Sequence, residues 1–293
     1  MNNVLLIYNA VSGDASFRFA LDRFIDTFSD QQWEVRIWRC DHSGSAANYL
    51  LNVDITDTKA VFVAGGDGTV SEVVNAFMKR GLSLPIGLIP AGTENDFAKK
   101  LGFDGDLEQN LGKLAKMHRI SVDVGKVNGA YFIDSVTVGT ASTFNTVSAD
   151  MKNALGQLAI FIANMNSWKK TRLRKFCFDM EDESIERKFR YFILSTRNYV
   201  KHKDSPQEML TLLASRHRSF GGETWLLHGL ANRTGNIRRG IHRYYGKEFQ
   251  IDIEDKGKNI PVCVDGDPGI SFPLHISMIP GALTFFADDT IEM

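Results

Sequence analysis

Residues 60–77, AVFVAGGDGTVSEVVNAF, constrain this chain more than any other stretch. The first five, rich in valine and phenylalanine, have the length and β-branched content of a buried strand. The run breaks at Gly65, Gly66, Asp67, Gly68 and Thr69. From there the apolar residues fall at Val70, Val73, Val74, Phe77 and Met78, the one-face spacing of a helix. Strand, glycine turn and helix together aim backbone N–H groups and a helix N-terminus at an anion. Glycines also let the backbone approach a phosphate without a Cβ in the way. A carboxylate inside such a loop repels bare phosphate, but it suits the loop when a divalent cation lies between them. An aspartate beside glycines before a helix is also an ordinary turn or N-cap residue. At this point both readings of Asp67 stand.

The same alternation extends on either side. Residues 4–8, 33–40 and 85–89 read as further strands. Phe17, Ala20, Leu21, Phe24, Ile25 and Phe28 mark an amphipathic helix. Ser43 is placed to cap a helix through residue 51. Thr93 and Asp96 have capping-box spacing for a short helix that Gly102 stops, and a further helix is predicted at residues 106–117. This pattern implies a parallel sheet with helices on both faces, which binds ligands at the carboxyl ends of its strands. The turns after residues 8, 64 and 89 then share one rim.

Beyond residue 123 the texture becomes β-rich. Asn128-Gly129 suits a primed hairpin turn. Strands are predicted at residues 176–181, 188–196, 249–253, 262–264, 275–278 and 282–286, with helices at 151–168 and 235–245. The chain is therefore read as α/β. An N-terminal doubly wound parallel-sheet domain covers residues 1–124, with 287–293 returning to it. A β-rich domain covers 125–286. No linker composition separates them.

At 293 residues with 43% hydrophobic and 24% charged content, the chain has enough apolar material for two cores and is not disordered. No apolar stretch approaches the ~20 residues that span a bilayer, and no signal-peptide pattern opens the sequence. Cys40, Cys177 and Cys263 are isolated and the seven histidines are scattered, so neither a disulfide framework nor a zinc site is implied. A net charge of −1 gives no nucleic-acid signature.

The GGDGT block followed by PAGTENDFA at residues 90–98 resembles the diacylglycerol kinase catalytic-domain family of soluble bacterial lipid kinases and their sphingosine kinase relatives. NAD kinases share GGDGT and phosphofructokinases carry a near variant; the second block, Gly-Thr-x-Asn-Asp at 92–96, separates the lipid kinases from both. The resemblance implies an NAD kinase/diacylglycerol kinase-like first domain and a lipid-holding β-sandwich as the second. It implies ATP and Mg²⁺ as donor and cofactor. Asp67 then organises the Mg²⁺ at the nucleotide phosphates, paired with Asp123 in the Asp-x-Gly strand entering the second domain. Gly65, Gly66, Gly68 and Thr69 form the phosphate loop, Gly92 and Thr93 border the nucleotide, and Asn95 and Asp96 are active-site polar residues. Asn9, Ser12 and Gly13 match the family's Asn-Pro-x-Ser-Gly turn, with Ala10 in place of proline. Asp265-Gly266-Asp267 resembles the family's Asp-Gly-Glu, whose aspartate is the general base, with Asp267 in place of glutamate. Read alone, the same Asp-Gly pair is a hairpin turn.

The function implied is phosphorylation of a lipid hydroxyl, diacylglycerol to phosphatidic acid, by a cytoplasmic, peripherally membrane-associated enzyme. Its partners are a lipid substrate at the membrane surface, anionic phospholipid and a second copy as a homodimer, with no nucleic acid. The competing readings are a kinase of the same superfold with a soluble substrate such as NAD, and a catalytically inactive member that binds nucleotide or lipid. Departures from the pattern include Glu94 and Ser71. Asp134 stands where asparagine is usual. Residues 220–225 lack the aspartates of the family's structural-metal turn, so no metal is expected there. Five cations within residues 169–175, and further ones through 216–247, are either a solvated face or a dock for anionic lipid.

Overall fold

The computed structural model describes residues 2–13, 16–30, 32–139, 173–181, 183–196, 209–216, 240–254, 260 and 262–291. They fall into two compact units, Met1–Val122 with Gly281–Met293, and Asp123–Pro280. The helix expected at 151–168, the basic residues 169–172 and most of the cations expected through 216–247 lie outside the described residues.

The first unit alternates strand and helix. In chain order its elements are β1 (Asn2–Asn9), α1 (Leu21–Ser29), β2 (Trp33–Cys40), α2 (Ser45–Asn52), β3 (Thr58–Gly65), α3 (Asp67–Arg80), β4 (Ile86–Pro90), α4 (Asp96–Lys100) and α5 (Leu107–Ala115). The strands are parallel in the order β2-β1-β3-β4. The chain steps from β1 to β2 on one side and resumes with β3 on the other. The strand order therefore reverses between β1 and β3, and such a switch point opens a crevice at the carboxyl ends. Phe62 of β3 is fully buried and meets Phe24 and Phe28 of α1 at ring distances of 5.3 and 4.5 Å. Each such ring contributes roughly 2–3 kcal/mol of burial. The helix expected through residues 17–28 is divided: a 3₁₀ turn, Ser16–Phe19, precedes α1.

Returning residues complete this unit. Phe286 stacks on Phe62 at 5.7 Å. The Asp288 N–H donates to the Leu101 carbonyl at 2.8 Å, and its carboxylate accepts from the Thr290 hydroxyl and N–H and pairs with Lys113 at 3.1 Å. The Thr290 hydroxyl foremost, then its N–H and Lys113, hold the Asp288 carboxyl well below the usual carboxylate range.

Two expected helix caps are corrected. α4 starts at Asp96, not after Thr93, and its N-cap is Asn95 at φ 54°, whose side chain does not cap the helix. The N-cap of α2 is Gly44 at φ 84°, not Ser43. In place of a local cap, Glu72 of α3 accepts from the N–H groups of Gly44 and Ala46 at 2.6 and 3.2 Å.

β5 (Arg119–Val127) carries the chain out of the first unit. The second unit holds β6 (Ala130–Phe132), β7 (Ser135–Val138), β8 (Arg174–Asp179), β9 (Ser184–Phe189), β10 (Tyr191–Ser195), β11 (Leu210–Ser215), β12 (Ile241–Gly246), β13 (Glu248–Ile253), β14 (Val262–Val264) and β15 (Asp267–Pro268). It also holds the first half of β16 (Leu274–Phe286), which leads back. Asn128 at φ 47° and Gly129 at φ 96° make the primed turn joining β5 to β6. Antiparallel strands β16-β13-β8-β9 form one sheet and β12-β11-β10-β7-β14-β15 the other. Phe176, Phe178, Phe189, Phe192 and Phe249 fill the core drawn from both sheets.

Three expectations change in this unit. The segment expected to be helical at 235–245 is strand β12 from Ile241. The apolar spacing there serves pairing with β11, and Gly240, at φ 92°, cannot continue a helix. Residues 188–196 divide at Arg190, where the chain leaves one sheet for the other. The runs at 275–278 and 282–286 are one strand, β16, passing through Pro280-Gly281. β11, buried along its whole length, is an additional central strand.

Candidate active site

In the first unit, the loops after β1, β3 and β4 converge at the switch point. The Asn9 Nδ2 donates to the Thr69 hydroxyl at 3.0 Å, tying the end of β1 to the first turn of α3. Its Oδ1 accepts from the Val11 N–H, which curls the following turn. Gly13, at φ 57°, lies so close to the β4 loop that a Cβ there would stand 2.6 Å from the Ala91 carbonyl. Gly92 faces Gly66, and a Cβ at Gly92 would run into the Gly66 Cα. Ser12 lies beside Gly66.

Asn95 holds the Gly92 loop from within. Its side-chain amide accepts from the Gly92 N–H and donates to the Gly92 carbonyl, both at 2.8 Å. The left-handed backbone of Asn95 brings that amide back, a conformation asparagine tolerates better than most residues. Asp67 Oδ1 accepts from the Phe97 N–H at 3.3 Å, so the phosphate-loop carboxylate also caps α4. Thr93, Glu94 and Asp96 are exposed.

The N-cap of α3 is Gly66, which has no side chain to offer its first turn. The first N–H groups of α3 and the positive end of its dipole face the rim formed by these loops, the arrangement that binds a phosphate. Gly68 lies on this turn with no atom in the way of a Cβ, and Gly65 packs against Thr69. For Mg²⁺ the residues fit as well. The ion usually takes one or two carboxylates and fills its shell with phosphate oxygens and water. A carboxylate has more lone pairs than the one bond to Phe97 uses. Among the described residues no group of three or more His, Cys, Asp or Glu forms a self-sufficient cage.

The remaining candidates belong to the second unit. Asp123, in β5, is 3% exposed. Asp265 and Gly266, at φ 45° and 91°, form the hairpin turn between β14 and β15. The Asp265 carboxylate seats on three consecutive backbone donors, Ile133 on Oδ2 at 2.8 Å and Asp134 and Ser135 on Oδ1 at 3.0 Å each. Burial and the neighbouring Asp134 carboxylate push Asp265 up to about 7, against the pull of the three N–H donors. A carboxylate near neutrality is matched to accepting a proton at physiological pH. Asp267 is exposed on β15.

The structure thus gathers Asn9, Ser12, Gly13, Gly65, Gly66, Asp67, Gly68, Thr69, Gly92 and Asn95 in one unit, and places Asp123, Asp265 and Asp267 in the other. Sequence reasoning missed Glu72 and the influence of Asp134 on Asp265. A helix start at Gly44 with no usable cap of its own was the one available signal for Glu72.

Residues 3–127 match the diacylglycerol kinase catalytic domain family. A diacylglycerol kinase of Staphylococcus carnosus is 32% identical over 279 residues, 92% of this chain and 90% of that one. A diacylglycerol kinase of Bacillus subtilis is 28% identical over 203 residues, covering 68% and 67%. Two crystal structures from Bacillus anthracis strain Sterne share the fold. One is of a diacylglycerol kinase, at TM-score 0.73 and 18% identity over 99% of this chain and 98% of that one. The other has TM-score 0.80 and 20% identity over 99% and 97%.

Proposed function

Since the chain belongs to the diacylglycerol kinase family and is a lipid kinase, we propose that it transfers the γ-phosphoryl group of ATP, with Mg²⁺, to the free hydroxyl of diacylglycerol, giving phosphatidic acid and ADP. The observation that carries this reading is the packing of the β1, β3 and β4 loops around the start of α3, with Asp67 among them. In this mechanism the α3 N-terminus and the glycine loop hold the donor phosphates, and Asp67 would hold the ion, with Asp123 the second carboxylate that the family pattern assigns to it. Bound Mg²⁺ would offset phosphate charge and orient the γ-phosphoryl group.

Asp265 takes the proton of the acceptor hydroxyl as its oxygen bonds to phosphorus and the bond to the ADP oxygen breaks. The three N–H donors fix this carboxylate in one orientation, so its reach is set by the backbone of residues 133–135. Positioning and charge neutralisation supply most of the remaining rate in phosphoryl transfer. Among the described residues no helix is long and apolar enough to cross a membrane. We place the encounter with lipid at a membrane surface, through peripheral association, because the acceptor of this family is a lipid.

The test is transfer of labelled γ-phosphate from ATP to diacylglycerol in mixed micelles, with NAD offered in parallel. Labelled phosphatidic acid that depends on Mg²⁺ is the expected product. Label entering NAD, or no lipid at all across a glycerolipid and sphingoid panel, overturns the reading.

A further inference from the structure

α3 grips α2 at both ends. Near the start of α3, Glu72 accepts from the Gly44 and Ala46 N–H groups at 2.6 and 3.2 Å and from the Ser43 hydroxyl at 3.4 Å. At its end, Arg80 Nη1 donates to the carbonyls of Leu50 and, at 3.0 Å, Val53. A carboxylate at the positive end of α2 and a guanidinium at its negative end both complement the helix dipole. The two ends differ in place. Gly44 and Ala46 follow the carboxyl end of β2, so they stand at the same edge of the sheet as the loops after β1, β3 and β4. Leu50 and Val53 lie up to about 12 Å away along α2, at its far end.

Among the described residues, Glu72 is the side chain that accepts from the first N–H groups of α2. Gly44, in the left-handed region, brings no side chain, and no local side chain caps α2. Ser43, the adjacent hydroxyl, is itself bonded to Glu72. The helix that carries Glu72 on its second turn begins at the phosphate loop, with Asp67 capping α4 and Thr69 bonded to Asn9. Three neighbouring connections are therefore fastened to the first two turns of α3, each through a different side chain. The negative charge of Glu72 is engaged by N–H donors, so it stands near a phosphate site without an unmet demand for a cation.

We propose that Glu72 is a positioning residue of the donor site, fixing the β2–α2 connection at the rim beside the start of α3. This rests on the reading of that rim as the place where ATP binds. Removing Glu72 releases the Ser43 hydroxyl and the Gly44 and Ala46 N–H groups and loosens the rim on one side, so donor affinity falls. Removing Arg80 loosens α2 at the end remote from the rim, so stability falls and donor affinity does not.

The experiment compares Glu72→Ala, Glu72→Gln, Arg80→Met and Asp67→Asn in the full chain. It measures melting temperature, the KM for ATP and kcat well below every melting point, and ATP binding by calorimetry without lipid. For Glu72→Ala, the KM and the Kd for ATP rise about tenfold, the scale of a lost helix cap expressed as affinity, with kcat within about twofold. Glu72→Gln, which keeps an oxygen acceptor, recovers most of that loss. Arg80→Met lowers the melting temperature and leaves KM unchanged. Equal KM and Kd for Glu72→Ala and Arg80→Met, with Asp67→Asn impaired in ATP binding, overturns the role of Glu72. If Glu72→Ala does not fold, Glu72→Met, which keeps the length of the side chain but has no oxygen acceptor, takes its place, and a KM and Kd for ATP equal to wild type in that variant overturn the role equally. ATP binding unaffected in Asp67→Asn as well as Glu72→Ala instead refutes the donor-site reading on which the proposal stands.

Discussion

The rim of the first unit and the Asp265 hairpin of the second place acidic groups in opposite ways. At the rim, Asp67 gives one oxygen to a single distant N–H and stands beside a helix start whose N-cap, Gly66, has no side chain. In the hairpin, Asp265 is held by three adjacent N–H donors and crowded by a second carboxylate. The first arrangement leaves bonding capacity for something to enter; the second fixes orientation and tunes proton affinity. A site that binds polyphosphate needs open donors. A group that accepts one proton needs one geometry and a suitable pKa.

The sharpest break in that comparison is Asp265→Asn. It should lower kcat by about 10²–10⁴-fold, the usual worth of a general base, while ATP binding persists. The amide would also set an N–H₂ against one of the three backbone donors, costing about 1–3 kcal/mol of stability. Turnover must therefore be read below the melting point. A variant that keeps wild-type kcat would make the hairpin carboxylate purely structural.

Gly92→Ala tests the rim. Its methyl group meets the Gly66 Cα, and overpacking of this kind costs about 1–3 kcal/mol, or roughly 5–150-fold in donor affinity. Calorimetry with ATP should show the loss, while the lipid KM stays near wild type. An unchanged Kd for ATP would mean that the Gly66–Gly92 contact does not shape the site.

Asp134→Asn separates charge from scaffold in the hairpin, because the backbone N–H that Asp265 uses is retained. The Asp134 charge raises the pKa of Asp265, so its removal lowers it. The acid limb of the pH–kcat profile should then move from near 7 to lower pH, and the variant at pH 6 should work closer to its own plateau than wild type does. A shift to higher pH, or none, would contradict the assignment.

The smallest effect on turnover belongs to Asp288→Asn, far from either arrangement in role. Asp288 has a lowered pKa, so it stabilises the fold above the unfolded carboxyl range, near 4, and that contribution fades as pH falls through its folded value. The substitution should cost about 1–2 kcal/mol at pH 7 and progressively less at acid pH, with kcat at 25 °C unaltered. Chemical denaturation at pH 7 and in acid measures both.

Much of the first unit was legible because its signals are local. The valine run, the glycines and the 3.6-residue spacing of residues 60–78 each belong to one element, and β3, the turn and α3 follow from them directly. The starts of α2 and α4 were not legible, because they depend on side chains with competing or remote partners. Asn95 spends its amide on Gly92 and adopts the left-handed region, so Thr93 never becomes a cap. Glu72 reaches across to Gly44 from a different helix. In the second unit, Ile241, Tyr244 and Tyr245 satisfy a helical spacing as readily as a strand's. Only pairing with β11 decides between them, and β11 was itself unrecognised. For Asp265, the turn was readable from Asp-Gly. The three donors beneath it come from residues 133–135, more than a hundred positions earlier, which no local pattern encodes.

The path of the chain through β5 and β16 sets an order of events during synthesis. The first unit is interrupted after Val122 and resumes only at Gly281, so a ribosome making about 5–20 residues per second takes roughly 8–30 s to cross the gap. Throughout that interval Phe62 lacks the ring of Phe286 that stacks on it, and Leu101 and Lys113 lack Asp288. The nascent first unit waits with part of its apolar face uncovered while the whole of the second emerges. Its final closure is a late, long-range step, and that interval is when the chain most needs protection from aggregation.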